Sequence, residues 1–331
     1  MPITIISFAL ILGFIIFFHE LGHFTLAKLN GILVHEFAIG FGPTVWRHQG
    51  KETKYALRLF PLGGFVMMEG ENEESESDRS FSRKTAWQRF TVLVAGALFN
   101  FITGFVMILL FMMLVGFPTT TIGEAVEGMP AYEAGLRAGD RILAVGGVET
   151  PTWTEITQAI AASGDAVDFR VERDGQTIDF SVRTRVEEGR RIVGIRTKET
   201  PDPGSALPRA WKAFTAFFVD IFRFFGELGK PGVAQNVVGP IGLFLTVGEV
   251  QRSGLLNLLF LAGFISVNIG VINLLPIPAF DGGRIVLVLI EMIIRRPIPR
   301  KFETVVNLIG VALIFTLFLF TLFNDLGRLR G

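Results

Sequence analysis

The chain reads as an α-helical polytopic membrane protein with about four transmembrane helices, a membrane-associated β-hairpin or sheet, and an inserted α+β domain. Three observations predict this. Half of the 331 residues are hydrophobic and only 19% are charged. Four apolar runs each approach the roughly twenty residues that a helix needs to cross a bilayer. One stretch, from about residue 119 to 198, breaks the pattern with a charged sequence made of short alternating segments.

The four spans run from Ile3 to Leu26, Phe90 to Phe117, Leu255 to Leu275 and Val305 to Phe323. The first has no basic leading region and no small-residue cleavage site, so it does not read as a signal peptide. Ile285 to Ile294 is apolar but too short to cross, and reads as a buried or interfacial helix. No Lys or Arg precedes the first span. Nine follow it between Lys28 and Arg89, and five more lie between Arg284 and Lys301. Four spans put both basic loops on one side, and positive residues favour the cytoplasm. The N-terminus and the middle segment are then outside; Arg328 and Arg330 count mildly against this.

Between the first two spans, Val34, Phe37, Ile39 and Phe41 alternate with other residues, as do Tyr55, Leu57 and Leu59, with Gln49-Gly50 as a turn. That is a small β-hairpin or sheet. Breakers at Pro61, Gly63 and Gly64 lead into Phe65 to Met68, an apolar strand expected to dip towards the bilayer. Glu69 to Asp78 is acidic and Ser-rich, and reads as a solvated loop. In the middle segment, Gly135 to Gly147 is a tight turn leading into a strand, and Trp153 to Ala162 has helical character. Val167 to Glu172 and Thr177 to Val182 flank an Arg173-Asp174-Gly175-Gln176 hairpin turn. Pro201 to Pro208 reads as a linker. The Phe-rich Trp211 to Phe225 reads as a helix lying in the interface plane or packed on the middle domain.

Function is concentrated in His19-Glu20-Leu21-Gly22-His23, inside the first span. A helix turns every 3.6 or so residues, so His19 and His23 share one face, one turn apart. Two imidazoles at that spacing can grip one metal ion, usually zinc, while Glu20 takes a proton from the attacking water. Ionisable groups are expensive in hydrocarbon and mark a functional site or a watery cavity. The chain has no cysteine, so the remaining ligand must be His or carboxylate. Asp281, in the Pro-interrupted stretch Asn273-Leu274-Leu275-Pro276-Ile277-Pro278-Ala279-Phe280-Asp281-Gly282-Gly283, stands out. Glu36, Glu69, Glu249 and Glu291 stay open as alternatives. The net charge is zero, which gives no reason to expect nucleic acid as a partner.

HExxH in the first span, NxxPxPxxDG near the third, and Pro130-Ala131, Ala134-Gly135-Leu136 and Gly139-Asp140 between them resemble the site-2 protease family of intramembrane zinc metalloproteases, in its bacterial branch that cleaves anti-sigma factors. The last three elements are similar to a PDZ domain of the bacterial type. The resemblance implies Zn2+ held by His19, His23 and Asp281, with Glu20 as catalytic base. It implies substrate binding at Asn273 and along Gly64, Phe65, Val66 and Met67. It also covers a GxxxN element from Gly96 to Asn100 and the segment Val238 to Gly242. The implied activity is hydrolysis of a peptide bond within or near the transmembrane segment of single-span membrane proteins, anti-sigma factors or signal-peptide remnants. The implied setting is the lipid bilayer of a bacterial inner membrane. The PDZ domain, lying outside, would bind a peptide C-terminus or periplasmic partner, or reject bulky substrates. Some relatives carry two PDZ domains, and this chain has room for one.

The domain boundaries follow: 1–30, first transmembrane helix; 31–70, β region; 71–89, acidic loop; 90–117, second transmembrane helix; 118–198, PDZ domain; 199–254, linker and interfacial region; 255–283, third transmembrane segment; 284–304, cytoplasmic-side helix and loop; 305–331, fourth transmembrane helix. A catalytically inactive membrane PDZ scaffold is the alternative, and intact Glu20 argues against it. A prenyl-protein protease with Glu as third ligand is opposed by Asp281-Gly282. An ion transporter is opposed by the lack of an internal repeat.

Overall fold

A computed structural model describes residues 2–71, 73, 75–187, 189–227, 230 and 238–328, giving only the backbone of Pro61, Leu62, Arg300 and Arg328. Asn72 and Glu74 of the acidic loop, residues 228–229 and 231–237 of the 199–254 region, and Arg330 lie outside the described residues. The chain forms two compact units, Met1–Phe111 with Pro208–Gly331, and Met112–Leu207.

Among the described residues, four helices are long and apolar enough to cross a membrane: α1 (Pro2–Leu29), α2 (Ala86–Leu114), α7 (Leu255–Leu274) and most of α9 (Arg300–Arg328). Burial separates them. Within the most apolar window, α2 and α7 are 33% and 39% buried, against 6% for α1 and 11% for α9. So α2 and α7 form the centre, and the other two turn most of their surface outward. Helices in lipid have no hydrophobic drive to associate and rely on small residues that let backbones touch. Gly22 of α1 lies where a Cβ would sit 2.3 Å from the Ala95 carbonyl oxygen of α2. On α2, a Cβ at Gly104 would meet the Gly263 carbonyl oxygen of α7 at 2.9 Å.

The β region is more folded than a hairpin. β1 (Val34–Gln49) and β2 (Lys54–Met68) pair twice: residues 36–39 lie between 64–67 and 54–57, while Gln49 to Thr44 pairs with Lys54 to Arg58. Both strands bend, β1 around Gly40 and Gly42 at φ +91 and +86, so two long strands act as four short ones. Residues 64–68 are left at an edge that no other described strand pairs. The acidic loop is only partly solvated. Glu69 accepts hydrogen bonds from His35 and Ser75, and Glu71 forms an ion pair with Arg284.

The linker reading is corrected by α5 (Pro203–Glu227), a single helix that carries Pro208 within its first two turns. Phe214 and Phe218 meet Phe105 and Phe101 of α2, Phe217 meets Phe260 and Phe264 of α7, and Ile221 clusters with Val267 and Val271. The stripe therefore faces membrane helices. Its 3–4 spacing predicted an apolar face but not what covers it. The short α6 (Pro240–Arg252) is held by α9: Asp325, buried near the end of α9, accepts from the amides of Gly239 (3.2 Å) and Gly242 (2.9 Å). Those amides have no partner within their own helix. A Cβ at Gly239 would lie 2.5 Å from the Asp325 carboxylate, so the Val238 to Gly242 segment has a structural account. The short apolar run is α8 (Asp281–Ile294).

The second unit contains β3 (Gly116–Ala125), α3 (Pro130–Glu133), β4 (Arg141–Val145), β5 (Val148–Glu149), α4 (Trp153–Ala162), β6 (Ala166–Arg173), β7 (Gln176–Arg183), β8 (Arg185–Glu187), β9 (Arg190–Ile192) and β10 (Ile195–Pro201). The main sheet has the order β10-β3-β4-β6-β7, around a core of Ile122, Leu136, Ile142, Ile156 and Phe169. Asp174 and Gly175 both take positive φ in the β6–β7 turn, as a two-residue hairpin requires. Thr152 and Glu155 close a capping box on α4. A cavity of about 670 Å³ runs between α4, at Trp153, Thr157 and Ile160, and the backbone from Gly189 to Arg196, beside the edge strand β10.

The Gly139-Asp140 element also has a physical role. Asp140 is 1% exposed and accepts from the Arg137 amide at 2.8 Å and from Arg173 at 2.6 and 2.7 Å. Burial pushes its carboxyl up, but the hydrogen bonds from Arg173 and Arg137, with their charges, outweigh burial and hold it below the usual carboxylate range. Asp140→Asn should destabilise this unit by about 3 kcal/mol, the low end for a broken buried pair, because Arg173 keeps some solvent. Since the folded value lies below the unfolded one of about 3.9, the stabilisation is present above that pH and is lost as pH falls through the folded value. Hydrogen exchange across β4 and β6 should show the wild-type advantage at pH 7 and its shrinkage below about pH 4.

Candidate metal centre

α1 carries His19 and His23 on its α2-facing side, and α2 accepts them through the missing side chain of Gly96. A Cβ at Gly96 would lie 2.4 Å from His23 Nε2 and 2.7 Å from His19 Cε1. His23 is anchored from behind: its Nδ1 donates to the Val92 carbonyl at 2.9 Å. His19 Nδ1 lies 3.2 Å from the side-chain amide of Asn100. Both rings thus turn Nε2 towards the same point.

Asp281 reaches that point from the far end of the sequence. After α7 the chain turns through Pro276 and Pro278, with Ala279 at φ +73, and Asp281 opens α8. A Cβ on Gly282 would lie 2.0 Å from the Leu275 carbonyl oxygen, so the residue after the aspartate must be glycine for α8 to fold back here. Asp281 Oδ2 ends 3.3 Å from His19 Nε2 and 3.2 Å from His23 Nε2, and the two Nε2 atoms are 3.2 Å apart.

This near-equilateral triangle fits a metal ion. Tetrahedral zinc with bonds of about 2.0–2.1 Å holds its ligand atoms about 3.3–3.4 Å apart. Asp281 Oδ2 is buried and makes no hydrogen bond, an unmet need that an ion would fill. Among the described residues, this is the one group of three His or acidic side chains so arranged. The alternatives are engaged elsewhere or turned away. Glu36 pairs with Lys54 and Arg58, Glu69 with His35, and Glu291 with Arg89, while Glu249 is exposed on α6.

The triangle opens on a cavity of about 480 Å³. Glu20 lines it, as do the edge-strand residues Gly64, Phe65, Val66 and Met67, with Glu71 and Arg284 beside them. Gly64 touches the acid: a Cβ there would lie 2.9 Å from Glu20 Cγ. Asn273, half-buried in the last turn of α7, does not line this cavity. Sequence reading missed the Val92 carbonyl, which no motif could announce. It also passed over Glu71 and Arg284; the arginine, three residues after Asp281 on the same helix face, carried the only available hint.

Comparison with known proteins gives the family. Residues 7–317 match Peptidase family M50. The protein CPE1693 of Clostridium perfringens is 35% identical over 318 residues, covering 94% of this chain and 95% of its own. The regulator of sigma-W protease RasP of Bacillus subtilis is 30% identical, covering 98% of this chain and 99% of its own. That alignment runs over 417 positions against 331 residues here, so RasP carries a stretch with no counterpart in this chain. The zinc metalloprotease RasP of Geobacillus kaustophilus is 30% identical over 98% of each chain. With the match extending across nearly its whole length, the chain belongs to peptidase family M50, the site-2 protease family, and is a multi-pass membrane metalloprotease.

Proposed function

We propose that this protein is a zinc endopeptidase that cuts a peptide bond within or near the transmembrane segment of single-span membrane proteins, with His19, His23 and Asp281 as ligands and Glu20 as base. One observation carries the reading: three ligand atoms 3.2–3.3 Å apart in a cavity that also holds Glu20 and an unpaired strand edge. When bound, zinc supplies Lewis acidity, making a water acidic near neutral pH and polarising the scissile carbonyl. Glu20 takes the proton from the attacking water and returns it to the leaving amine.

A substrate helix must unwind before it can be cut, and its freed amides and carbonyls then need partners at membrane depth. The edge at residues 64–68 supplies them by strand addition. Asn273 keeps the role implied by family likeness, holding substrate backbone beyond the cavity. The basic loops favour a cytoplasmic opening of the site, with the N-terminus and the 112–207 unit outside the bacterial inner membrane. The groove beside β10 has the features to take an extended peptide end. RasP is named for regulating sigma-W, which makes anti-sigma factors the first substrates to try, followed by signal-peptide remnants.

The test uses the full chain in liposomes with a single-span substrate carrying a helix breaker. The wild type should hold about one zinc per chain by the ligand count. Chelation should stop cleavage, and added zinc should restore it. Cleavage at full rate by zinc-free protein would refute the reading.

A further inference from the structure

Asn100 is fully buried on α2, one turn beyond Gly96, and the proposed reaction gives it no task. Its backbone is fixed: Ser266 of α7, also fully buried, donates to the Asn100 carbonyl at 2.8 Å. Its side-chain Nδ2 lies 3.2 Å from His19 Nδ1, while its Oδ1 is buried with no partner at all. That pairing conflicts with a metal at Nε2. A neutral imidazole carries one proton, so an Nδ1 that accepts from Asn100 leaves the proton on Nε2.

His23 shows the arrangement that works. Its Nδ1 faces the Val92 carbonyl, which can only accept, so the proton must sit on Nδ1 and the lone pair on Nε2. A half-turn of the Asn100 amide gives His19 the same state: Oδ1 faces Nδ1–H and gains a partner, and Nε2 is free. Amide orientation of this kind is settled by the network around it.

We propose that Asn100 is a positioning residue for the metal site. Its Oδ1 accepts from His19 Nδ1–H, locking the tautomer and ring plane that point Nε2 at Asp281. The inference rests on the zinc reading above and adds the hydrogen-bond acceptor behind the first ligand. Such partners orient a metal-ligating histidine and raise its basicity, and losing one typically costs about 10–100-fold in metal affinity.

The experiment measures zinc affinity of the full chain by chelator competition. Asn100→Leu, similar in size with no acceptor, should bind zinc about 10–100-fold more weakly. Asn100→Asp, which can only accept, should bind at least as tightly as wild type. Aspartate keeps the shape of asparagine as well as its acceptor, so the state of the His19 Nδ1–H bond separates the acceptor role from simple packing. Wild-type affinity in Asn100→Leu would overturn the proposal, as would an Asn100→Asp loss as large as that of leucine. A second readout follows the bond itself: with zinc bound, nitrogen NMR should show a His19 Nδ1–H that is hydrogen-bonded in the wild type and in Asn100→Asp and loses that bond in Asn100→Leu. The same Nδ1–H signal in wild type and Asn100→Leu would overturn the proposal. A wild type that binds no zinc would defeat the zinc reading and this inference with it, whereas zinc held equally well by Asn100→Leu would defeat this inference alone.

Discussion

Glu20→Gln should keep its zinc and lose its catalysis. The amide matches the carboxylate in shape, so the fit against Gly64, where a Cβ would come within 2.9 Å of Glu20 Cγ, is undisturbed. What disappears is the ability to accept a proton from water and pass it to the amine. General acid–base groups contribute about 10²–10⁴-fold each, and Glu20 serves in both halves of the reaction, so the loss should reach the top of that range. The measurement is single-turnover cleavage of the liposome substrate, with zinc counted in the same samples. Residual activity within tenfold of wild type, with zinc retained, would exclude Glu20 as the base. Loss of zinc together with activity would mean that Glu20 is a ligand.

The proposed ligands were readable because their chemistry is local or rare. His19 and His23 follow from helix pitch. Asp281 stood out because few ionisable residues lie near spans and this one follows broken backbone. What sequence could not show was contact between elements. The Phe stripe of α5 announces an apolar face, but that Phe214, Phe217 and Phe218 pack on α2 and α7 is a contact between distant elements that no spacing reveals. The β region was legible as alternation, but the double pairing of residues 36–39 depends on bends whose consequence is three-dimensional. Glu71 looked like one acid in a solvated run, yet it faces Arg284, more than two hundred residues away.

Gly96→Ala should empty the metal site while leaving the fold standing. The added carbon would lie 2.4 Å from His23 Nε2, 2.7 Å from His19 Cε1 and 2.8 Å from His23 Cε1, so it collides with the metal-binding ends of both rings. Neither ring can step aside freely. His23 is tied through Nδ1 to Val92, and His19 abuts Asn100. Separating the helices instead would break the contact of Gly22 with Ala95, one residue from the insult. Overpacking of this kind costs about 1–3 kcal/mol whichever way the strain is released. If the rings move, most of that appears as lost affinity, and about 2.8 kcal/mol is a hundredfold in zinc binding. Gly104→Ala is the control. It lies on the same helix, but its Cβ would meet Val267 and the Gly263 carbonyl oxygen of α7, away from the histidines. It should lower thermal stability by a similar amount and leave zinc per folded chain unchanged. A Gly96→Ala protein that binds zinc as tightly as wild type would show that α2 does not set the spacing of the two imidazoles.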